Sequence, residues 1–328
     1  MGFFIKYQVN SLMELYDIKR GNRLESVKVK QFKYEKDIQD IVEKNLNQLF
    51  QLQFISSEFT IKNFRIDSLC FDEENKSFVI IEYKKHKSYS VIDQGYSYLS
   101  LMLNNKSDFI LEYNENNKNS LKRSDVDWSQ SRIIFISPSF NTYQKNSVNF
   151  KDVPFELWEI KRFSNNVISL NQHLPSSKES IQKIEGNKNS VIKNVGKEVK
   201  VYDESDLLKK SDEKTLILWE ELQNRFNQLE DTTYVTRKHY IGIRKNNTTV
   251  TYVHFYKTKL LLHIVRGNFY DGKKSKGFFS FDDPKKISKS GDHNFKSGVV
   301  RKYYELVIEK QDDIDYVMVL LKQKYNTI

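Results

Sequence analysis

Two carboxylates and a lysine in the first third of the chain have the residue types and spacing of a divalent-cation site. Glu82 and Lys84 end a run of apolar residues, and residues two apart on a strand point to the same face. Such runs are typical of strands covered on both faces, where a charge is costly unless it is paired or binds a metal. If Phe71 and Phe78 flank a hairpin loop, Asp67 lies directly opposite Glu82, about 5 Å away. A cation such as Mg²⁺, held by these carboxylates and a backbone carbonyl, would turn their repulsion into coordination.

Three further polar residues are candidates for the same site, each with a plainer alternative. Glu35 falls on the apolar stripe of a predicted helix and could reach the metal through a water molecule. Alternatively, Glu35 is simply an acidic residue at a helix N-terminus, where the helix dipole favours a negative charge. Gln94 and Tyr98 are neighbours on one helix face, away from its apolar stripe, where simple packing is the alternative. The Glu82–Lys84 pair taken alone also fits a surface ion pair, and it is the facing aspartate that favours a metal.

Alternating helical and strand patterns in residues 1–174 must position these side chains. They predict an α/β layer architecture around one sheet. Helices are predicted over Lys33–Phe50 and Tyr89–Asn104, and strands over Phe54–Ile61, Phe64–Phe71, Phe78–Lys84, Asp108–Tyr113, Arg132–Ser137 and Phe155–Arg162. Residues 175–212 are poor in large apolar side chains, which predicts a tether or a partly ordered linker.

Residues 213–328 predict a smaller α+β domain that carries most of the net charge of +10. Its predicted helices are Glu213–Leu229 and Ile314–Tyr325, and its predicted strands are Tyr234–Ile243, Thr249–Tyr256, Lys259–Val265 and Tyr303–Ile308. A loop near residue 270 interleaves lysines with aromatic residues, which favours contacts with phosphates and unpaired bases. A solvated basic surface is the alternative.

Composition excludes several classes of protein. The single cysteine, Cys70, excludes an intramolecular disulfide framework and Cys-rich zinc sites, and is expected to be a small buried hydrophobe. No apolar run approaches the 20 or so residues of a membrane span, and the N-terminus lacks the pattern of a secretory signal, so we expect a cytoplasmic protein. The glycine-rich patterns of nucleotide-binding loops do not occur.

The order of these motifs resembles the PD-(D/E)XK nuclease superfamily, and in particular its NucS-like branch. The resemblance covers about the first 165 residues, over Phe32–Gln39, Ser57–Thr60, Arg65–Asp67, Ile80–Lys85, Asp93–Tyr98 and Val126–Ser129. It implies a restriction-endonuclease-like α/β core for this part of the chain, with a mixed central sheet flanked by helices. The proline of the superfamily name is replaced by Ile66. Residues 213–328 resemble a domain of unknown function that is often attached to such nuclease-like domains.

The resemblance implies a metal-dependent endonuclease that hydrolyses DNA phosphodiester bonds in defence or repair. Asp67 and Glu82 would hold Mg²⁺ or Mn²⁺, with the carbonyl of Tyr83 as a further ligand. Lys84 would orient or activate the attacking water, and Glu35 would bind a metal-bound water or a second ion. By the same resemblance, Gln94 and Tyr98 would steady the site or contact the DNA backbone.

The expected partner is DNA, with RNA not excluded and no membrane. The candidate nucleic-acid contacts are Arg65, Lys85, Lys273, Lys274 and Lys276, of which Arg65 could equally be a plain charge on a strand surface. One site per chain cuts one strand, so we expect a homodimer if both strands of a duplex are cut. A catalytically inactive DNA-binding or adaptor protein is the alternative function.

Overall fold

The computed structural model describes residues 14–85, 90–117, 120–184, 189–246, 248–270, 272–275, 277–295 and 298–328. These residues form two seven-stranded sheets and a separate hairpin. The hairpin pairs strand β1 (Leu15–Lys19) with strand β2 (Arg23–Val27). Each large sheet carries helices and has buried apolar side chains between sheet and helices.

The first large sheet mixes parallel and antiparallel strands. Its strands are β3 (Val29–Lys30), β4 (Gln53–Ile61), β5 (Phe64–Asp72), β6 (Ser77–Tyr83), β7 (Arg132–Ser137), β8 (Phe155–Phe163) and β9 (Ile168–His173). The spatial order is β3–β8–β7–β6–β5–β4, with β9 paired to β8. Strands β6, β7 and β8 are mutually parallel, and the other neighbours are antiparallel. Every residue of β6 and β7 is buried, as their continuous apolar runs predict.

Helices cover both faces of this sheet, which confirms the predicted mixed sheet flanked by helices. They are α1 (Glu35–Glu43), α2 (Leu46–Phe50), α3 (Val91–Asn104), α4 (Lys106–Asn116), α5 (Thr142–Ser147), α6 (Ile181–Ile184) and α7 (Ser190–Glu198). Ile38 and Val42 of α1 share one core with Ile81, whereas Leu99 of α3 and Phe109 of α4 share the core on the opposite face. No helix in the described ranges is both long enough and apolar enough to cross a membrane.

Two predicted elements of this region differ from the structure. The helix predicted over Lys33–Phe50 is divided into α1 and α2, because Asn45 has non-helical angles of φ −128° and ψ 17°. The strand predicted over Asp108–Tyr113 is wrong, since these residues belong to α4. Phe109 and Tyr113 are four residues apart and both buried, which is the spacing of one helix face.

The stretch 175–212 is packed rather than being a free linker. It contains α6, α7 and a further helix, α8 (Glu204–Leu208). Ile181, Ile192 and Val195 lie in the core of the first sheet, and Leu207 lies in the core of the second. Few large apolar residues are therefore enough to fix this segment, because those present are spaced along short helices that face existing cores.

The second large sheet is antiparallel throughout. Its strands are β10 (Thr232–Thr236), β11 (Ile241–Lys245), β12 (Thr248–Phe255), β13 (Leu260–Tyr270), β14 (Lys273–Lys274), β15 (Lys289–Asn294) and β16 (Val300–Ile308), and its helices are α9 (Glu213–Asn227) and α10 (Gln311–Tyr325). The spatial order is β10–β11–β12–β13–β16–β15, with β14 on β13. The single strand predicted over Tyr234–Ile243 is two strands, because the amide of Arg237 bonds the carbonyl of Tyr240 at 2.9 Å and closes a turn.

A buried polar network joins the two sheets. Arg132 of β7 is only 9% exposed and donates to Asp72 at 2.9 Å and to Glu156 at 3.0 Å. Arg237, from the turn between β10 and β11, donates to the same Glu156 at 3.2 Å. Since buried charges are costly unless paired, these residues hold the sheets in a defined relation.

The close approach of α3 to the sheet predicts that Gly95→Ala is destabilising. A Cβ at this position would lie 2.5 Å from the ring of Phe155, which is itself packed against Tyr96. Overpacking of this kind costs about 1–3 kcal/mol, more than the higher helix propensity of alanine returns. Urea unfolding measures the loss, with Ser97→Ala on the exposed side of the same helix as the control; equal stability of the two variants would contradict this packing.

Because of two histidines in the second sheet, we expect the free energy of unfolding to fall in mild acid. The ring centroids of His254 and His263 lie 4.6 Å apart, and neither Nε2 has a hydrogen bond within the described chain. Burial lowers the pKa of each to about 4 from an ordinary value of 6.5. The unfolded chain therefore binds protons that the folded chain excludes, and the free energy of unfolding falls as the pH drops from about 6.5 towards 4. Urea unfolding across this range should show a shallower dependence for His254→Phe, which keeps a ring but cannot titrate; an unchanged slope would contradict the assignment.

Candidate functional site

The predicted hairpin register is confirmed up to the edge of the site. Phe71 faces Phe78, and the pairing continues to Ser68 opposite Ile81, where the ladder between β5 and β6 ends. The next residues on the two strands are Asp67 and Glu82. The carboxylate of Asp67 accepts a hydrogen bond from the backbone amide of Tyr83 at 3.0 Å, so it lies at the end of β6.

Glu82 is the most buried charged residue of the site, with 4% of its surface exposed. Its Oε1 accepts from Nζ of Lys84 and from Nε2 of Gln94, both at 2.7 Å. Its Oε2 is buried and has no hydrogen-bond partner in the part of the chain that the structure describes. One oxygen of this carboxylate is therefore fully engaged and the other is left for a ligand.

The environment of Asp67 disfavours its charged form. Burial raises the pKa of Asp67 to about 7, and the neighbouring charge of Glu82 acts in the same direction. The bond from the amide of Tyr83 and the charge of Lys84 oppose this shift only in part. A positive ion between the two carboxylates would oppose both the burial and the repulsion that raise this pKa.

Helix α3 supports the site through Gln94 and Tyr98. Besides its bond to Glu82, Gln94 donates to the hydroxyl of Tyr98 at 3.3 Å, and that hydroxyl donates to the carbonyl of Arg65 at 3.1 Å. The chain of bonds ties Glu82 to the start of β5. Although Tyr98 belongs to the face that was expected to lie away from the apolar stripe of the helix, it is buried, and its ring packs against that of Phe64.

Glu35 lies at the edge of the site and not in the apolar stripe of its helix. It is the first residue of α1 and is exposed, because the apolar stripe begins only at Ile38. Its Oε1 accepts from the backbone amide of Lys85 at 2.8 Å, one residue beyond Lys84. Glu35 therefore fixes the chain that leaves β6.

A second group of polar residues supports β5 from the opposite face and was not predicted. Gln39 is buried and donates to the carbonyl of Asp67 at 2.8 Å and to Glu43 at 2.8 Å. Ser68 donates to Glu43 at 2.5 Å and is 3.1 Å from the hydroxyl of Tyr83. The side chain of Tyr83 is thus on this opposite face, and its backbone alone faces the site. Gln39 and Glu43 are four apart beside the apolar stripe of α1, and that spacing was the available signal.

The other predicted nucleic-acid contacts are dispersed. Arg65 is exposed and paired with Glu58 at 2.8 Å, and the charge of Glu58 also raises the pKa of Asp67. Lys273 and Lys274 form the exposed strand β14 of the second sheet, away from the strands that carry the site. Lys276 lies outside the described residues.

The candidate metal ligands are two carboxylates rather than a larger cluster. Within the described ranges, no group of three or more histidine, cysteine, aspartate or glutamate side chains could hold a metal ion. The unpartnered Oε2 of Glu82 nevertheless fits a cation, and carboxylate and carbonyl oxygens are the donors that Mg²⁺ and Mn²⁺ take. Mg²⁺ is commonly bound by one or two carboxylates plus water and substrate oxygens.

Fold and site together define an α/β protein with paired carboxylates and a lysine at the end of a central strand. The chain is 42% identical over 313 residues to an uncharacterized protein of Haemophilus influenzae, across 95% of this chain and 99% of that protein. It belongs to the family of that Haemophilus protein. No family model matches the chain.

Two solved structures are similar to part of the chain. A repair endonuclease from Pyrococcus abyssi is 18% identical with a TM-score of 0.22, across 36% of this chain and 44% of that protein. EndoMS in a complex titled EndoMS-dsDNA2 is 16% identical with a TM-score of 0.24, across 39% of this chain and 53% of that one. The likeness spans about half the length of each of these two proteins.

Proposed function

We propose that this protein is a metal-dependent endonuclease that hydrolyses DNA phosphodiester bonds, in defence or repair. The observation that carries the proposal is the buried, unpartnered Oε2 of Glu82 beside a second carboxylate, Asp67. Such an oxygen is costly to bury, and a divalent cation is the ligand that satisfies two neighbouring carboxylates. The donor set would be Asp67, Glu82 and the carbonyl of Tyr83, with Mg²⁺ or Mn²⁺ as the ion.

The residues around this set support the proposal of hydrolysis. The cation would supply Lewis acidity and a lower pKa for an attacking water. Lys84, whose Nζ lies 2.7 Å from Glu82 and whose side chain is mostly buried, would place a fixed positive charge near the negative charge that develops on the phosphate. Gln94 fixes the orientation of Glu82, and Glu35 fixes the backbone that follows Lys84. Preorganised groups of this kind need no rearrangement during the reaction.

A DNA-binding or adaptor protein without catalysis is the second candidate. One observation favours it: in the described chain the site offers two carboxylates and no third metal-binding side chain. A lysine bonded directly to Glu82 also neutralises part of the charge that would attract a cation. This candidate predicts that the protein binds DNA with or without divalent ions and cuts no form of it.

The deciding experiment incubates the purified protein with supercoiled plasmid, linear duplex, single-stranded DNA and RNA of the same sequence. Each substrate is tested with Mg²⁺, with Mn²⁺ and with EDTA. The proposal expects DNA cleavage with either ion and none with EDTA. DNA binding without cleavage of any substrate would establish the second candidate, and preferential cleavage of RNA would assign the site to RNA.

The form of the products tests the expected homodimer. One site cuts one strand, so a monomer should convert supercoiled plasmid to nicked circles before any linear product forms. Direct conversion to linear plasmid by a protein that sediments as a monomer would contradict the expectation of one site per chain.

A further inference from the structure

A groove lies where the three parallel strands of the first sheet end. Strand β6 continues into Lys85, and strand β7 continues into Pro138 and Ser139. The last residue pair between β7 and β8 is Ser137 with Glu159, so the residues of β8 after Glu159 extend past the end of β7. These segments and the residues of β3 line a cavity of about 360 Å³. Crevices outside the carboxyl ends of parallel strands are the usual binding positions of open α/β sheets.

The charge of this groove has one sign. Its lining includes Lys30, Lys85, Lys161 and Arg162 and no acidic side chain. Within the described residues, none of these four makes an ion pair of 4.0 Å or less. The nearest acid in sequence, Glu159, is bonded instead to Lys145 at 2.9 Å and to the amide of Phe140 at 3.1 Å.

The groove is continuous with the candidate active site through the chain that leaves β6. Lys85 lines the groove and directly follows Lys84, whose amide bonds the carbonyl of Ile136 on β7 at 2.8 Å. The amide of Lys85 is the group that Glu35 holds. A polymer whose reacting phosphate lies at Glu82 would therefore have this groove beside it, at the end of the same strand.

We propose that this groove binds backbone phosphates of the DNA strand adjoining the scissile bond. The inference rests on the proposed function, since it needs a polymer in the site. A cleft lined by charges of one sign concentrates ligands of the opposite sign. Its volume is near the lower end of the range for small-molecule sites, about 300–1,000 Å³, so it suits one nucleotide unit of a single strand rather than a duplex. Buried Phe32 and Ile160 form its apolar part.

The test is the double variant Lys161→Gln with Arg162→Gln, which keeps the aliphatic stems and removes two charges. Binding of a fluorescent single-stranded DNA oligonucleotide is measured by anisotropy in EDTA at several salt concentrations, so that cleavage plays no part. Each phosphate contact on a single strand contributes about 0.7 to the slope of log affinity against log salt. The double variant should therefore lower the slope by about 1.4 and weaken binding by on the order of tenfold at 0.1 M salt.

Matched variants make the result specific. Lys193→Gln with Lys197→Gln removes the same charge from the exposed side of α7, outside the groove, and should leave slope and affinity near the wild-type values. Lys161→Arg with Arg162→Lys retains the charges and should restore binding. If both charge-removing variants lose the same affinity, or the groove variant loses none, the groove proposal fails.

The binding measurement in EDTA, together with the cleavage assay in Mg²⁺ on the same variants, separates this proposal from the proposed function. If the wild type cleaves DNA and the groove variant binds and cleaves DNA equally well, the groove proposal is wrong and the proposed endonuclease function stands. If the groove variant binds DNA more weakly and with a lower salt dependence, but the wild type cleaves no DNA, the groove proposal is supported and the proposed endonuclease function is wrong.

Discussion

Glu82→Gln is expected to lower divalent-dependent DNA cleavage by more than about 100-fold, the upper range for residues that only support a metal ligand. The amide keeps the shape of the side chain, but it cannot offer a charged oxygen where Oε2 now lies buried and unpartnered. It also removes the repulsion that raises the pKa of Asp67. The variant should therefore melt at or above the wild-type temperature in EDTA. Initial cleavage rates and thermal melting measure the two effects.

Glu159→Gln is the matched control, because Glu159 and Lys161 repeat the acid–lysine spacing on the parallel strand β8. The carboxylate of Glu159 is bonded to Lys145 and to a backbone amide. Its partners on the two neighbouring strands are Ser137 and Asn171, neither of which is an acid. We expect this variant to cleave DNA at nearly the wild-type rate. Mn²⁺ should raise the melting temperature of the wild type and of Glu159→Gln but not of Glu82→Gln. Equal cleavage by Glu82→Gln and the wild type would rule out the proposed metal ligand.

The pairing of the two site strands could be predicted because local signals agree. A polar loop between two apolar runs sets the register, and the register alone brings Asp67 next to the end of β6. The spacing of Gln94 and Tyr98 likewise predicts that they adjoin each other on α3, and they share a hydrogen bond. Such relations depend on neighbours in sequence and on the regular geometry of strands and helices.

Relations between distant segments could not be predicted in this way. Tyr98 is buried because the sheet covers a side of α3 that its own sequence marks as polar. Glu35 lies at the strand end because Lys85 offers a backbone amide there, 50 residues away. The groove depends on β6, β7 and β8 being parallel neighbours, and a single sequence does not state which strands are adjacent. Tertiary packing decides these features.

The largest expected effect on stability is that of Arg132→Met. This arginine is the shared partner of Asp72 and Glu156, whose pKa values it holds below the usual range even though burial alone would raise them. Methionine fills much of the volume but leaves two buried carboxylates without their main cation. Breaking a buried ionic group by removing one member costs about 3–5 kcal/mol. Urea unfolding at pH 7 measures the loss.

Arg225→Met is the control for this effect, since Arg225 also contacts two carboxylates, Glu221 at 2.7 Å and Asp315 at 3.0 Å. These side chains are exposed, and such surface pairs contribute about 1 kcal/mol or less. Lowering the pH towards 4 should narrow the difference in free energy of unfolding between Arg132→Met and the wild type. Without the arginine, burial raises the pKa of Asp72 and Glu156 unopposed by their main cation, so the folded variant takes up protons in this range, whereas in the wild type the arginine keeps both carboxylates ionised. Equal losses in the two variants at pH 7 would mean that the network joining the sheets is solvated. The position of the second sheet against the first would then depend on apolar contacts instead.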